Sequence, residues 1–491
     1  MTKIRTAIFT RAFLHIFLRF FLRPFTQSPL PVFRKHPYFS KGLVIVALLG
    51  FSNCAPQNKF SRDYVSDQVK VRTGGGLRTG QEASRFEVPP PVNLQDGLSE
   101  EEAAALALWN NAQFQADLVS TSIAQADLVE AGIIPNPLLR YIAPWGLATA
   151  SGYLNFYLEA LWQRPKKIAA AKLEARKTAE NMVQRAFVLI RDTQLAYADM
   201  LLARQKQAIL ARDLQVRLQI VALARSRYRH GDISRWELTM ARGDSALSTD
   251  TFNRGAQDTT IFKSRLNLLL GLPNVDSTLT LQPAPLTSYA TLSRTDWQKL
   301  ADDVQPELRA ALATIEATGA RLGWEKWRVA NVVAATINAS TIHPANTDGS
   351  ARASKSPWPN TFAPGVQMEI PIFNRNQGRI ARARADMDQA SLNYTAIRQR
   401  LTQQLSEAYA RYELAYQSYQ HWNTNLIPAL EQSTILSMSA YRNGDISFLP
   451  VLEANRQYLA ARLRQAEVEA EVRRAISQLN FILGNKTGTG K

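Results

Sequence analysis

The sequence predicts a mixed α/β chain of two tandem structural repeats, each a pair of two-faced strands joined to a hairpin of very long helices. Three observations carry this expectation. "YRHGDIS" at 228–234 returns as "YRNGDIS" at 441–447, and "RLNLLLG" at 265–271 returns as "QLNFILG" at 478–484, both at an offset of 213. In each copy 40 positions separate the first glycine, Gly231 or Gly444, from the second, Gly271 or Gly484. No proline occurs from Lys166 to Leu272, and within that stretch Val188, Leu195, Leu202, Ile209, Val216 and Leu223 recur every seven residues, the spacing of a coiled-coil seam. Leu154, Phe156 and Leu158 alternate with Asn155 and Tyr157, as Val366, Met368 and Ile370 alternate with Gln367 and Glu369. Period two with one apolar and one polar face marks a strand between two different environments.

Residues 1–53 read as a signal or targeting segment. They hold eight of the 58 Lys and Arg residues and no acid, and Lys41 precedes the apolar run Leu43 to Phe51. Nine apolar residues are too few for a spanning helix. Cys54 then stands where the lipidated first residue of a mature lipoprotein would be, although Asn53 is a poor residue before a cleaved bond. Without this segment the formal charge of +17 falls to 50 cations against 41 acids, or +9 spread over 438 residues. Charge this diffuse is no footprint for nucleic acid. Residues 54–97 read as an N-terminal linker, with Cys54 as its candidate lipid anchor, because "TGGGLRTG" at 73–80 and "PPP" at 89–91 oppose regular structure. The same glycines lack the flanking strand and helix of a phosphate cradle.

The first repeat covers 98–284. It opens on a helix whose Ser99 and Glu102 have capping-box spacing. Strands follow within about 138–162, near Leu138 to Ala148 and Tyr153 to Ala160, and long helices within about 166–270. Lys166 to Tyr228 as one helix would be roughly 95 Å long at about 1.5 Å per residue. Ala196, Ala203 and Ala224 beside the heptad allow close approach of a neighbour. The chain reverses at a tip turn, 229–234, with Gly231 taking positive φ and Asp232 or Ser234 capping the return helix. The second repeat, 285–485, has strands within about 329–373, long helices within about 377–483, and a tip turn at 442–447. "RPKKIAAAKLEARK" (164–177) matches "NQGRIARARADMDQ" (376–389) at an offset of 212, so one residue was gained or lost before the tips. Residues 486–491 read as a disordered tail.

One cysteine and five scattered histidines leave no Cys/His metal cage. His230, His343 and His421 read as a tip, a loop and a helix-surface residue. No nucleotide loop or catalytic triad is present, so neither enzyme chemistry nor a cofactor is expected. The strand faces place Leu154, Phe156, Leu158, Val366, Met368 and Ile370 toward lipid, with Asn155, Tyr157, Gln367 and Glu369 toward a lumen. Four strands cannot close alone, since membrane barrels need about eight and open edges cannot be satisfied in lipid. The strands must come from several chains.

The duplicated layout, and the "YRxGDIS" turn followed 40 residues later by "LNxxLG", resemble the TolC-type outer-membrane efflux factors over essentially all of residues 98–485. The resemblance implies a homotrimer in the cell outer membrane: a twelve-stranded β-barrel continued by a long α-helical coiled-coil tunnel in the periplasm. It implies a passive conduit, working with a periplasmic adaptor (a membrane fusion protein) and an inner-membrane proton-driven pump of the resistance-nodulation-division type. It also implies that Tyr228, Gly231, Asp232 and Ser234, with Tyr441, Gly444, Asp445 and Ser447, form periplasmic tips that meet the adaptor. Just past the second tip, Glu453 falls where the family rings its closed tunnel with acids, while Pro450 occupies another such position. "AGIIPNP" at 131–137 and "IPIFNRNQGRI" at 370–380 further resemble the cobalt-zinc-cadmium branch, which implies heavy-metal cations as cargo; the alternative is drug efflux or polypeptide secretion. In the latter motif Gly378 would allow the bend, with Asn374 and Asn376 capping it. "LEALWQRPKK" departs from the Gly-containing form expected there.

Overall fold

The computed structural model describes residues 59–78, 86–90, 92–142, 151–272, 279–283, 286, 305–329, 333–340 and 361–484. Cys54, the targeting segment, His343 and the C-terminal tail lie outside them. In chain order the elements are α1 (Arg62–Thr73), α2 (Glu100–Asn110), α3 (Ala112–Gly132), β1 (Leu138–Ile142), β2 (Ser151–Tyr157), α4 (Glu159–His230), α5 (Arg235–Leu269), α6 (Pro306–Trp327), β3 (Val333–Ser340), β4 (Thr361–Met368), α7 (Gln377–His421), a π turn (Trp422–Leu426), α8 (Ile427–Asn443) and α9 (Phe448–Leu483). They form two compact units, the first including 129–169 and 323–380, the second 58–128, 170–322 and 381–491.

The first unit holds the sheet, antiparallel throughout in the order β1-β2-β3-β4. Its strands stop earlier than their alternation implies. Leu158 still donates its N–H to Val333 O at 2.7 Å, but the next position is helical, and the Glu159 carboxylate accepts the Val333 N–H at 3.1 Å in place of a strand carbonyl. At the end of β4, Pro371 has no N–H for a ladder, and Ile372 N bonds Ile370 O in a tight turn. Leu158 and Ile370 therefore lie just outside the strands. The long helix α4 begins at Glu159 rather than after Pro165, and the proline sits inside it at the loss of one backbone bond. At the entry to α7 the strained residue is Asn376, with φ of 61°, rather than Gly378. Asn376 is held there because its Nδ2 donates to Glu325 O at 2.8 Å and to Glu325 Oε2 at 2.9 Å, while Asn374 Oδ1 accepts its N–H at 3.1 Å.

The second unit is helical. Ser99 and Glu102 form the expected capping box on α2: the Ser99 side chain accepts Glu102 N and the Glu102 carboxylate accepts Ser99 N. The segment expected as a linker carries α1 instead. Val65 and Val69 are one helical turn apart and fully buried against Leu118, Val183, Leu479 and Ile482. The Gly-rich stretch merely ends that helix, Gly74 taking the left-handed cap at φ 74°. The six heptad residues of α4 are only half-buried; the core lies beside them, at Ala179, Val183, Ala186, Tyr197, Ala203 and Ala224. In the second repeat the expected single long helix is interrupted by the π turn, where Ile427 N bonds Trp422 O five residues back and Pro428 follows directly.

Candidate functional site

Two sites carry the functional reading: the faces of the sheet in the first unit and the helix tips in the second. Paired residues of adjacent strands share a face. The register aligns Leu139, Leu154, Ile337 and Pro364 in one row, Phe156, Ala335 and Val366 in the next, and Val333 with Met368 in a third. Every member is apolar. The alternate rows join Leu138, Asn155, Thr336 and Gly365, then Tyr157, Ala334 and Gln367, so the polar groups of the paired strands collect on the other face, with Leu138 at its β1 edge. Gly365 serves that packing, because a Cβ there would stand 2.9 Å from the Thr336 hydroxyl. The apolar face is uncovered among the described residues, Val366 being 73% exposed. β1 and β4 each pair on one side only, leaving two open edges.

Both tips close by the same chemistry. Gly231 at φ 85° donates to Tyr228 O, and Asp232 N reaches Arg227 O; Gly444 at φ 88° donates to Tyr441 O, and Asp445 N reaches Ala440 O. This pair of bonds is a Schellman motif, which satisfies the last helical carbonyls and needs positive φ. Beyond the turns the copies differ. Ser234 accepts Glu237 N at 3.2 Å, whereas Ser447 makes no capping bond, because the matching position is Pro450 and carries no N–H. Tyr228 is 41% exposed, but Tyr441 is 0% exposed and packs with Phe448, Ile220 and Leu238. The Arg227 guanidinium lies 4.8 Å from the Tyr441 ring centroid and Nη1 donates to Tyr441 O. Burial pushes the Tyr441 phenol above its ordinary range. Glu453 is exposed on α9 and accepts Gln457 Nε2 at 2.8 Å. His230 and His421 are exposed, and no cluster of three or more His, Cys, Asp or Glu fit for a metal occurs among the described residues.

Sequence reading missed a buried ionic network above the tips. Arg217 binds Asp213 at 2.7 Å and also Asp244 on α5; Asp244 binds Arg456 on α9 at 3.0 Å, and Ser248 donates to Asp213. Asp213 and Arg217 do stand four apart, but such a pair usually marks a solvated helix face, and only the packing of α5 and α9 buries it.

This fold defines a class: a mostly helical chain with long helical hairpins and a small antiparallel sheet whose two faces differ. Residues 299–485 match the family described as outer membrane efflux protein. Over 407 residues the chain is 24% identical to the cobalt-zinc-cadmium resistance protein CzcC of Cupriavidus metallidurans, covering 80% of this chain and 92% of the relative. Among solved structures it is similar to CusC, with a TM-score of 0.64 at 17% identity over 88% of this chain and 99% of that one. It is also similar to the Campylobacter jejuni CmeC outer membrane channel, with a TM-score of 0.65 at 14% identity over 84% and 90%. The family match thus falls on the second repeat, and the likeness to CzcC in sequence and to CusC in fold extends over most of the chain. The chain is an efflux channel of the outer membrane that reaches into the periplasm and performs no enzymatic reaction.

Proposed function

We propose that three copies of this chain close a twelve-stranded barrel and form the outer-membrane conduit of a tripartite resistance-nodulation-division system exporting heavy-metal cations. The sheet supports this reading above all. An apolar face and two open edges are intolerable for a lone chain in lipid, and edge-to-edge pairing with further copies satisfies both. Leu154, Phe156, Val366 and Met368, with Leu158 and Ile370 at the strand ends, then face lipid, and Asn155, Tyr157 and Gln367 face the lumen. The half-buried heptad stripe on α4 is the matching surface for a neighbouring copy. The turns at Gly231 and Gly444 are the parts that meet the periplasmic adaptor, and three copies of Glu453 around an axis would attract cations at a gate. Metal as cargo rests on the likeness to CzcC and on the 370–380 stretch. A conduit needs no tight metal site, since conduction requires weak binding.

Deleting the gene should sensitise cells to zinc, cobalt, cadmium, copper or silver while leaving tolerance of lipophilic drugs intact. A strain that instead lost drug tolerance with every metal threshold unchanged would move the assignment to drug efflux. Cross-linking in native outer membrane should give trimers; monomers alone would overturn the assembly.

A further inference from the structure

The segments joining strands to helices in the first unit carry a charge imbalance that neither the barrel nor the conduit explains. Lys166 and Lys167 follow β2, Lys326 and Arg328 precede β3, and Arg375 and Arg379 follow β4. Against these six cations the described parts of the junctions hold three acids, of which Glu369 is exposed while Glu159 and Glu325 are engaged internally. Glu159 accepts the Val333 N–H, and Glu325 is buried and accepts from Asn376. None of the six cations is ion-paired with a described residue.

The three junctions meet. Lys166 Nζ lies 5.9 Å from the centre of the Trp327 ring, and Asn376 Nδ2 bonds both Glu325 O and Oε2. Arg328 lies 5.3 Å from the Trp324 ring. Beside the cations stand exposed apolar groups: Leu161, Trp162, Trp327, Ile372 and Phe373, the last 91% exposed. Rings and cations interleaved in this way, at the ends of strands that present an apolar face, fit the boundary between hydrocarbon and phosphate. Aromatic side chains rest at that boundary, and Lys and Arg stems reach from it to anionic groups.

We infer that the strand-to-helix junction binds the phosphate head groups of anionic phospholipid, with Trp162, Trp327 and Phe373 at the acyl boundary and Lys166, Lys326 and Arg375 on the phosphates. The inference rests on the reading that the sheet lies in lipid, and it adds a lipid preference to it. A preference of this origin is electrostatic and is screened by salt within about 10 Å at 0.1 M.

The test uses the full chain reconstituted into vesicles of phosphatidylcholine alone or of phosphatidylcholine with phosphatidylglycerol. Lipid retained on the protein after detergent extraction is measured by mass spectrometry. The wild type should retain phosphatidylglycerol in excess of its share of the bilayer, and lose that excess in high salt. The triple variant Lys166→Gln, Lys326→Gln, Arg375→Gln should lower the enrichment at least about tenfold, given the worth of each cation near an anionic surface. Lys166→Arg with Lys326→Arg should keep it. So should an equal charge loss in the second unit, Lys177→Gln, Arg254→Gln and Arg411→Gln. Enrichment that survives the junction variant, or that falls equally in the charge-matched control, overturns the inference. Entry into both vesicles without lipid preference overturns it alone, whereas failure to enter either overturns the membrane reading as well.

Discussion

From Glu159 to His230 the first repeat runs as one α-helix, while the second covers the matching stretch as α7, a π turn and α8. The copies are offset by 212 residues before this stretch and by 213 after it. A π turn is the place where a helix takes in one extra residue, so the bond from Ile427 N to Trp422 O absorbs the difference. Without it every later side chain would turn by about 100° and advance about 1.5 Å. With it, both tips present the same Schellman turn at nearly the same φ. Pro428 suits the site, because in an unbroken α-helix its ring would meet the carbonyl four residues back. The difference teaches that phase at the tip is the quantity preserved, not helix regularity.

The largest expected effect breaks this equivalence. Removing Ala211 from α4, which has no bulge to give up, should rotate Ile220, Ala224 and Arg227 away from Tyr441. We expect a loss on the order of 5 kcal/mol, as for emptying several core positions. Removing Thr424 together with Pro428→Ala should convert the π turn to α-helix with both flanks in phase, within about 1 kcal/mol of the parent. Thermal unfolding and protease cleavage at 229–234 and 442–447 read both. Equal damage from the two deletions would show that the bulge does not carry the extra residue.

Next come the tip tyrosines. Tyr441→Ala should cost about 3–5 kcal/mol, since it empties a site shared with Phe448 and Arg227. Tyr228→Ala should stay within about 0.5 kcal/mol in a single chain. Denaturant titration of both compares them directly, and a large cost at Tyr228 would place it under a neighbouring copy.

The caps differ by less. Ser234→Ala should cost about 1 kcal/mol and Ser447→Ala only a few tenths, because Ser447 has no N–H to accept. Pro450→Glu should restore that donor and make Ser447→Ala costly in the double variant. Melting temperatures of the four chains test the coupling.

The smallest effect is alkaline. Glu180 on α4 is buried, accepting from Tyr64 Oη at 2.6 Å and from Arg309, whereas its counterpart Leu392 is 72% exposed. Burial first, and then the bond to Glu180, push the Tyr64 phenol up to about 12. Above an unfolded value near 10 the unfolded chain releases this proton while the folded chain keeps it, so stability should fall as pH rises from about 10 to 12. Tyr64→Phe should flatten that fall in thermal melts at pH 9 and 11. It will not abolish it, because Tyr197, also pushed up to about 12 by burial, contributes the same sign.

How much was legible follows from the range of the forces. The repeat, the Ser99–Glu102 box, the tip turns and the two-faced strands are local: each depends on neighbours within a few residues, and backbone sterics and alternation write them into the sequence. The Leu154, Phe156, Val366 and Met368 face could be read strand by strand for that reason. Tertiary structure alone decided the rest. α1 looks like a tether until Val65 and Val69 find Val183 and Leu479, and apolar pairs one turn apart carry no signal of what they will meet. Burial of Tyr441 but not Tyr228, in near-identical turns, depends on Arg227 and Phe448 arriving from other helices. The ionic network of Asp213, Arg217, Asp244 and Arg456 likewise spans three helices separated by long stretches of chain, and Coulomb attraction and burial act on distance in space, which the order of residues does not encode.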